Sequence, residues 1–208
     1  MATSVAADTP VAIVEEIQGK VTGAEFMDYL TPKSVIKLGD DGSIVLSYLK
    51  SCRRETISGG GTIVVGAEQS AVHLAEVKAE KTNCDSNQMH ATTRENREAA
   101  ATVVRSVANK TPPPPAPLTL YGASPLVEAK GRGKLIVERL DIAGERVQVD
   151  LEGRQFKGRF YDFAGTNRAL VPGGLYAATF NSSKIVFRVD PQAKRGATPI
   201  VGRLLRME

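Results

Sequence analysis

Short runs in which apolar and polar residues alternate, parted by glycine, proline and asparagine, fill most of this chain. A period of two is the mark of half-buried β-strands. In the first half the runs are 11–18 (VAIVEEIQ), 20–21, 34–38 (SVIKL), 43–49 and 62–65 (TIVV). Gly19, Gly23 and Gly59-Gly60-Gly61 break them, and Gly39-Asp40-Asp41-Gly42 predicts a hairpin between 34–38 and 43–49. Ile44, Leu46 and Tyr48 share one face of their strand, and the same parity carried onward reaches Cys52. Strands this short and close imply a small sandwich or barrel-like sheet rather than βαβ units. After His73 the pattern changes, and residues 78–91 read as a polar surface loop containing Cys84. Thr92-Thr93-Arg94-Glu95 then makes a capping box. It opens the one helical pattern, near 93–107, with Ala100, Val103, Val104 and Val107 at i, i+3, i+4 and i+7.

The second half repeats the β grammar. Candidate strands are 118–121, 126–129, 134–140, 146–151, 156–163, 174–180, 184–189 and 200–205. Nearly every gap holds a turn signal, among them Ser124-Pro125, Gly131-Arg132-Gly133, Pro172-Gly173-Gly174 and Asn181-Ser182-Ser183. Eight short strands in about 90 residues fit an antiparallel β-sandwich.

Between the halves stands Thr-Pro-Pro-Pro-Pro-Ala-Pro, residues 111–117. Proline lacks the amide donor that helix and sheet require, so this run predicts an extended, stiff linker of roughly 3 Å per residue. The expected organisation is therefore a flexible N-terminus (1–9), a β domain with a C-terminal helix (10–110), a Pro-rich linker (111–117) and a β-sandwich (118–208). Charge differs across the linker. Residues 1–110 carry 12 Lys and Arg against 14 Asp and Glu, net −2, and residues 111–208 carry 15 against 9, net +6. With no Trp, five Tyr and six Phe, both cores must rest on aliphatic side chains. No run of 18 apolar residues offers a membrane-spanning helix. The opening MATSVAADTP has neither the basic patch nor the apolar stretch of a signal peptide. It reads either as the small polar start left after signal cleavage, or as the soft tail of a cytosolic protein.

Candidate chemistry is sparse. Gly59-Gly60-Gly61 lacks the Gly-Lys-Ser/Thr ending of a phosphate loop, and Gly131-Arg132-Gly133-Lys134 precedes a strand, so both read as turns. The second half has neither His nor Cys for a nucleophile–base pair. Asp40–Asp41 sit in a turn and Glu15–Glu16 on opposite faces of a strand, so no catalytic residue and no cofactor is expected. Cys52 and Cys84 form a disulfide closing about 30 residues, or are two buried thiols. As free thiols they would join Met89 and His90, with His73 nearby, in a soft donor set of the kind copper prefers. Spacings such as Cys-x-x-Cys are missing, and no metal site is assigned. The basic side chains Arg154, Lys157, Arg159, Lys184, Arg188, Lys194 and Arg195 form either a solvated face or a patch for an anionic polymer or membrane surface. Nucleic acid is not expected, since neither stacking aromatics nor a recognition helix is present.

Two stretches resemble known families. VEEIQGKV (14–21), LTPKSVIKLG (30–39), DGSIVLSY (41–48) and TIVV (62–65) are similar to a FecR-type domain over about residues 10–72, departing from it at 47–58, where Cys52, Arg53 and Arg54 stand in a polar segment. ALVPGGLYAA (169–178) resembles the L-x-P-G-x-x-Y corner of fibronectin type III and other immunoglobulin-like modules, in which Tyr176 is a corner residue of the core. These resemblances imply a mostly-β protein of two small β domains. The first is a FecR-like β-sheet domain with one helix, and the second an Ig-like antiparallel β-sandwich, joined by the Pro-rich linker. They also imply a periplasmic or otherwise exported bacterial module. The expected function is non-enzymatic binding or scaffolding, with protein partners in the envelope or an envelope polymer. The alternatives are a ligand-sensing regulatory domain, which needs a well-formed apolar pocket, or a copper-binding or redox protein using Cys52, Cys84, Met89 and His90.

Overall fold

The computed structural model describes residues 9–86, 102, 116, 118–151 and 156–207, with the backbone alone at 156 and 157. Strands dominate the described residues. The chain divides into two compact units, Met1–Thr82 and Asn83–Glu208. The helix predicted near 93–107 lies outside the described residues apart from Thr102, as does the 111–117 run apart from Ala116.

The first unit contains β1 (Ala12–Gln18), β2 (Val21–Thr22), β3 (Tyr29–Leu30), β4 (Val35–Leu38), β5 (Ser43–Tyr48), β6 (Arg53–Ser58), β7 (Gly61–Val65), β8 (Ser70–His73) and β9 (Glu76–Lys81). They form two antiparallel sheets, β3-β1-β5-β6-β9 and β2-β4-β7-β8. Ala12, Val14, Ile44, Leu46, Tyr48 and Ile57 of the first sheet pack with Ile36, Leu38, Ile63 and Val65 of the second, all buried. Each buried Val, Leu or Ile among them contributes about 1.5–3 kcal/mol of apolar burial against the entropy of ordering the chain.

Three expectations are corrected here. Residues 39–42 do not close a hairpin, because β4 and β5 belong to different sheets. Gly39 donates to the Lys20 carbonyl at 2.8 Å, and a Cβ on Gly42 would lie 2.6 Å from that same oxygen. The turn is thereby stacked on the turn at residues 19–20, which carries the chain from one sheet to the other. Cys52 does not continue the face of Ile44, Leu46 and Tyr48. β5 ends at Tyr48, and Cys52 stands in the left-handed region at φ +54° just before β6. The polar segment read as loop from residue 78 begins as strand β9.

The second unit contains β10 (Thr119–Gly122), β11 (Leu126–Ala129), β12 (Gly133–Arg139), β13 (Arg146–Leu151), β14 (Phe156–Lys157), β15 (Phe160–Asp162), β16 (Leu175–Phe180), β17 (Ser183–Lys194) and β18 (Leu204–Met207). Two sheets, β10-β17-β16-β12-β13 and β14-β15-β11-β18, enclose one core that includes Leu120, Val127, Leu135, Tyr161, Phe163, Phe187 and Leu205. The arrangement is not wholly antiparallel, since β10 runs parallel to β17 and β18 parallel to β11. The expected strand 156–163 is broken at Gly158, whose φ of +63° turns the chain between β14 and β15. Strict alternation also fails in β16, where Tyr176, Ala178 and Phe180 face the core while Leu175 and Ala177, with Val186 of β17, are buried on the reverse face.

Candidate functional site

Of the basic residues expected to form a patch, Arg154 and the Lys157 side chain lie outside the described residues. The other five come from two sheets. Lys184, Arg188 and Lys194 stand on β17, with Arg195 directly after it. Lys184 and Arg188 flank Val186 on the face turned away from the core, and Lys194 and Arg195 are exposed. Arg188 Nη1 donates to the Gly173 carbonyl at 3.2 Å. Arg159, between β14 and β15, belongs to the opposite sheet. Its Nε lies 3.0 Å from Glu128 Oε1, and its guanidinium stands 5.3 Å from the centre of the Phe160 ring. The β17 residues thus present charge outward, while that of Arg159 is engaged by an acid.

That acid belongs to a set of buried ionic clamps. Glu128 sits on β11 at 2 % exposure and also accepts from Arg206 Nε at 2.9 Å across the parallel β11–β18 pair. Arg203, 3 % exposed, forms a two-pronged pair with Asp162 at 2.6 and 3.2 Å. It also donates to the carbonyls of Thr198 (2.9 Å) and Ser124 (3.2 Å). In the first unit Arg54 Nε reaches buried Glu15 at 2.7 Å, with Glu16 and Glu80 at 3.6 and 3.0 Å. Glu15 and Glu16 therefore do not act on opposite faces. A register shift between Val14 and Glu16 lets both meet one guanidinium. Buried Glu55 accepts from Arg53 Nε at 2.7 Å and from the Ser70 amide at 3.2 Å. Tyr48 bonds the Ser70 hydroxyl at 2.8 Å, and burial pushes its own hydroxyl up to about 12. Sequence reading missed these clamps. The available signal was a carboxylate inside an apolar strand such as Leu126–Ala129, where burial without a partner would be costly.

Cys52 and Cys84 are joined in a disulfide. Past the last pair of the β6–β9 ladder, Arg53 with Lys81, the Cys52 carbonyl accepts both the amide (2.8 Å) and the hydroxyl (3.1 Å) of Thr82. The covalent link therefore closes the end of that ladder. Neither sulfur is a thiolate ligand, which removes the free-thiol copper set. Met89 and His90 lie outside the described residues. Among the described residues no three His, Cys, Asp or Glu converge as metal ligands, and no helix is long and apolar enough to cross a membrane.

Tyr176 is buried near the start of β16. Its hydroxyl donates to the Val171 carbonyl at 3.2 Å and accepts from the Val171 amide at 2.9 Å, closing the loop before β16. Its ring stacks on Phe187, with centroids 5.8 Å apart. A Cβ on Gly174 would meet that ring at 2.6 Å, so glycine is required there. Arg139 lies 5.9 Å from the ring centre and holds Asp141 and Glu145. Burial opposes ionisation of Asp141, but the Arg139 guanidinium and the Leu175 amide outweigh it and keep the carboxyl below its usual range. Tyr176→Phe removes both corner bonds and leaves the Val171 amide unpaired. A loss of about 1–2 kcal/mol in urea unfolding is expected, and a change under about 0.3 kcal/mol would show that the corner is not structural. Comparison with protein-family models, curated proteins and solved structures returns no match.

Proposed function

We propose that this chain is a non-enzymatic binding or scaffolding module of the bacterial envelope, a FecR-like β domain followed by an immunoglobulin-like sandwich. The observation that carries the reading is the fate of its buried charge. Glu15, Glu55, Glu128 and Arg203 are the buried acidic and basic side chains among the described residues, and each is paired within its own unit. Buried charge is spent on clamping sheets, while Lys184, Lys194 and Arg195 of the β17 segment lie on the outward side. The doubly bonded Tyr176 corner supports the immunoglobulin-like assignment. The Cys52–Cys84 disulfide is compatible with an oxidising, exported location, of which the periplasm is the one proposed.

The partner class is separated by charge reversal. Lys184→Glu, Lys194→Glu and Arg195→Glu together leave the clamps untouched, so the melting temperature should move by no more than about 2 °C. If an anionic envelope polymer is the partner, retention on immobilised polyglutamate should fall with salt, as exposed charges are screened beyond about 8 Å at physiological ionic strength. It should be lost in the triple variant. Retention that survives both changes would sink the electrostatic form and leave protein–protein scaffolding.

A further inference from the structure

β9 is an edge strand with an unusual property: all six residues, Glu76–Lys81, are exposed. Val77 is 46 % exposed although it lies across the ladder from buried Ile57. β9 pairs with β6 on one side, and among the described residues no strand pairs with its other edge. The orientation of its backbone is set by the ladder. Thr82 donates to the Cys52 carbonyl, and residues 52 and 82 continue the Arg54–Glu80 register, so the even-numbered residues of β9 bond towards β6. In an antiparallel ladder bonding direction alternates, so the N–H and C=O groups of Val77, Ala79 and Lys81 point to the open edge.

We infer that this edge pairs with the same edge of a second copy, antiparallel and two-fold symmetric about Ala79. Outward bonding groups at odd positions restrict the two-fold centre to an odd residue. Centring on Ala79 uses the full strand and exchanges both of its backbone bonds with its counterpart. It also sets Val77 against Lys81 of the other copy. The same register places Lys78 opposite Glu80 and Glu80 opposite Lys78, two unlike pairs at the closer, non-hydrogen-bonded positions. Charged edges deter pairing when like meets like; here the alternation Glu76, Lys78, Glu80 is self-complementary. Centring on Val77 shortens the ladder by running it into the turn at Leu74, whose φ is +70°. This pairing does not depend on which envelope partner the chain takes. One strand edge buries less than a standard interface, so the dimer is weak and concentration-dependent.

Sedimentation equilibrium of the full chain from roughly micromolar to near-millimolar concentration tests it. A monomer–dimer equilibrium is expected. Ala79→Pro removes an outward donor without touching a β6 bond and should give monomer. Lys78→Glu and Glu80→Lys each set like charges face to face and should each weaken the dimer by roughly tenfold. Glu80→Lys also breaks the exposed Glu80–Arg54 pair within its own unit, and an equimolar mixture of the two variants should restore the dimer as a heterodimer. Restoration in the mixture excludes misfolding of either variant as the cause. A chain that stays monomeric throughout the range overturns the inference. So does a dimer indifferent to Ala79→Pro and to both charge changes, which would place the contact elsewhere.

Discussion

Replacing Arg203 with methionine is expected to lower the stability of the second unit by about 3 kcal/mol. The guanidinium is 3 % exposed and joins three parts of the chain: Asp162 on β15, the Ser124 carbonyl before β11, and the Thr198 carbonyl before the short 3-10 turn Ile200–Gly202. Methionine fills similar volume but leaves those oxygens without their donor. Asp162 retains 35 % exposure of its side chain, so water recovers part of the loss and the figure sits at the low end for a broken buried pair. A fall of about 10 °C in melting temperature should accompany it. Lysine at 203 keeps the charge but not the planar fork and should recover less than half of the loss. A methionine variant within about 1 kcal/mol of the parent in chemical denaturation would show that the clamp is ornamental.

Reduction of the Cys52–Cys84 bond should cost the protein roughly 3–4 kcal/mol, on the chain-entropy account of a loop of about 30 residues. The denatured, unreduced protein should contain no titratable thiol. β9 should respond first, because exposure on every residue leaves it little apolar burial and its ladder to β6 is closed by this bond. Amide exchange at the even positions of β9, those bonded to β6, should therefore accelerate on reduction while the buried amides of β5 remain protected. Two reactive thiols before reduction, or exchange that rises uniformly across the unit, would contradict this.

Local alternation made the strands legible. Leu126–Ala129 and Arg146–Leu151 carry the bounds that the pattern alone assigns them. The partner of each strand was not legible, because a period of two specifies which face is buried and says nothing of the neighbour. The turn at 39–42 shows the limit. Its composition signals a hairpin, yet its packing beneath Lys20 and against Gly19, contacts distant in sequence, sends β5 to another sheet. β9 was missed for the opposite reason: no residue of Glu76–Lys81 is buried, so selection for burial left no apolar face to detect. At the candidate site the cysteine pair could be read as a disulfide or as thiols, and the fold decided between them. The basic residues of 184–195 were found, but the engagement of Arg159 by Glu128 was hidden because the turn before β15 meets β11 only in the fold, far apart in sequence.

The placement of β18 sets an order of events on folding. Glu128 and Arg206 are 78 residues apart in the chain, yet they are register partners in adjacent parallel strands. The sheet β14-β15-β11-β18 therefore cannot close until nearly the whole unit has been synthesised, whereas the hairpins β12–β13 and β16–β17 need only local chain. Pairings of such long reach belong to topologies that fold in milliseconds to seconds. On the ribosome, the β11 edge must wait, unpaired and carrying Leu126, for its last neighbour to emerge.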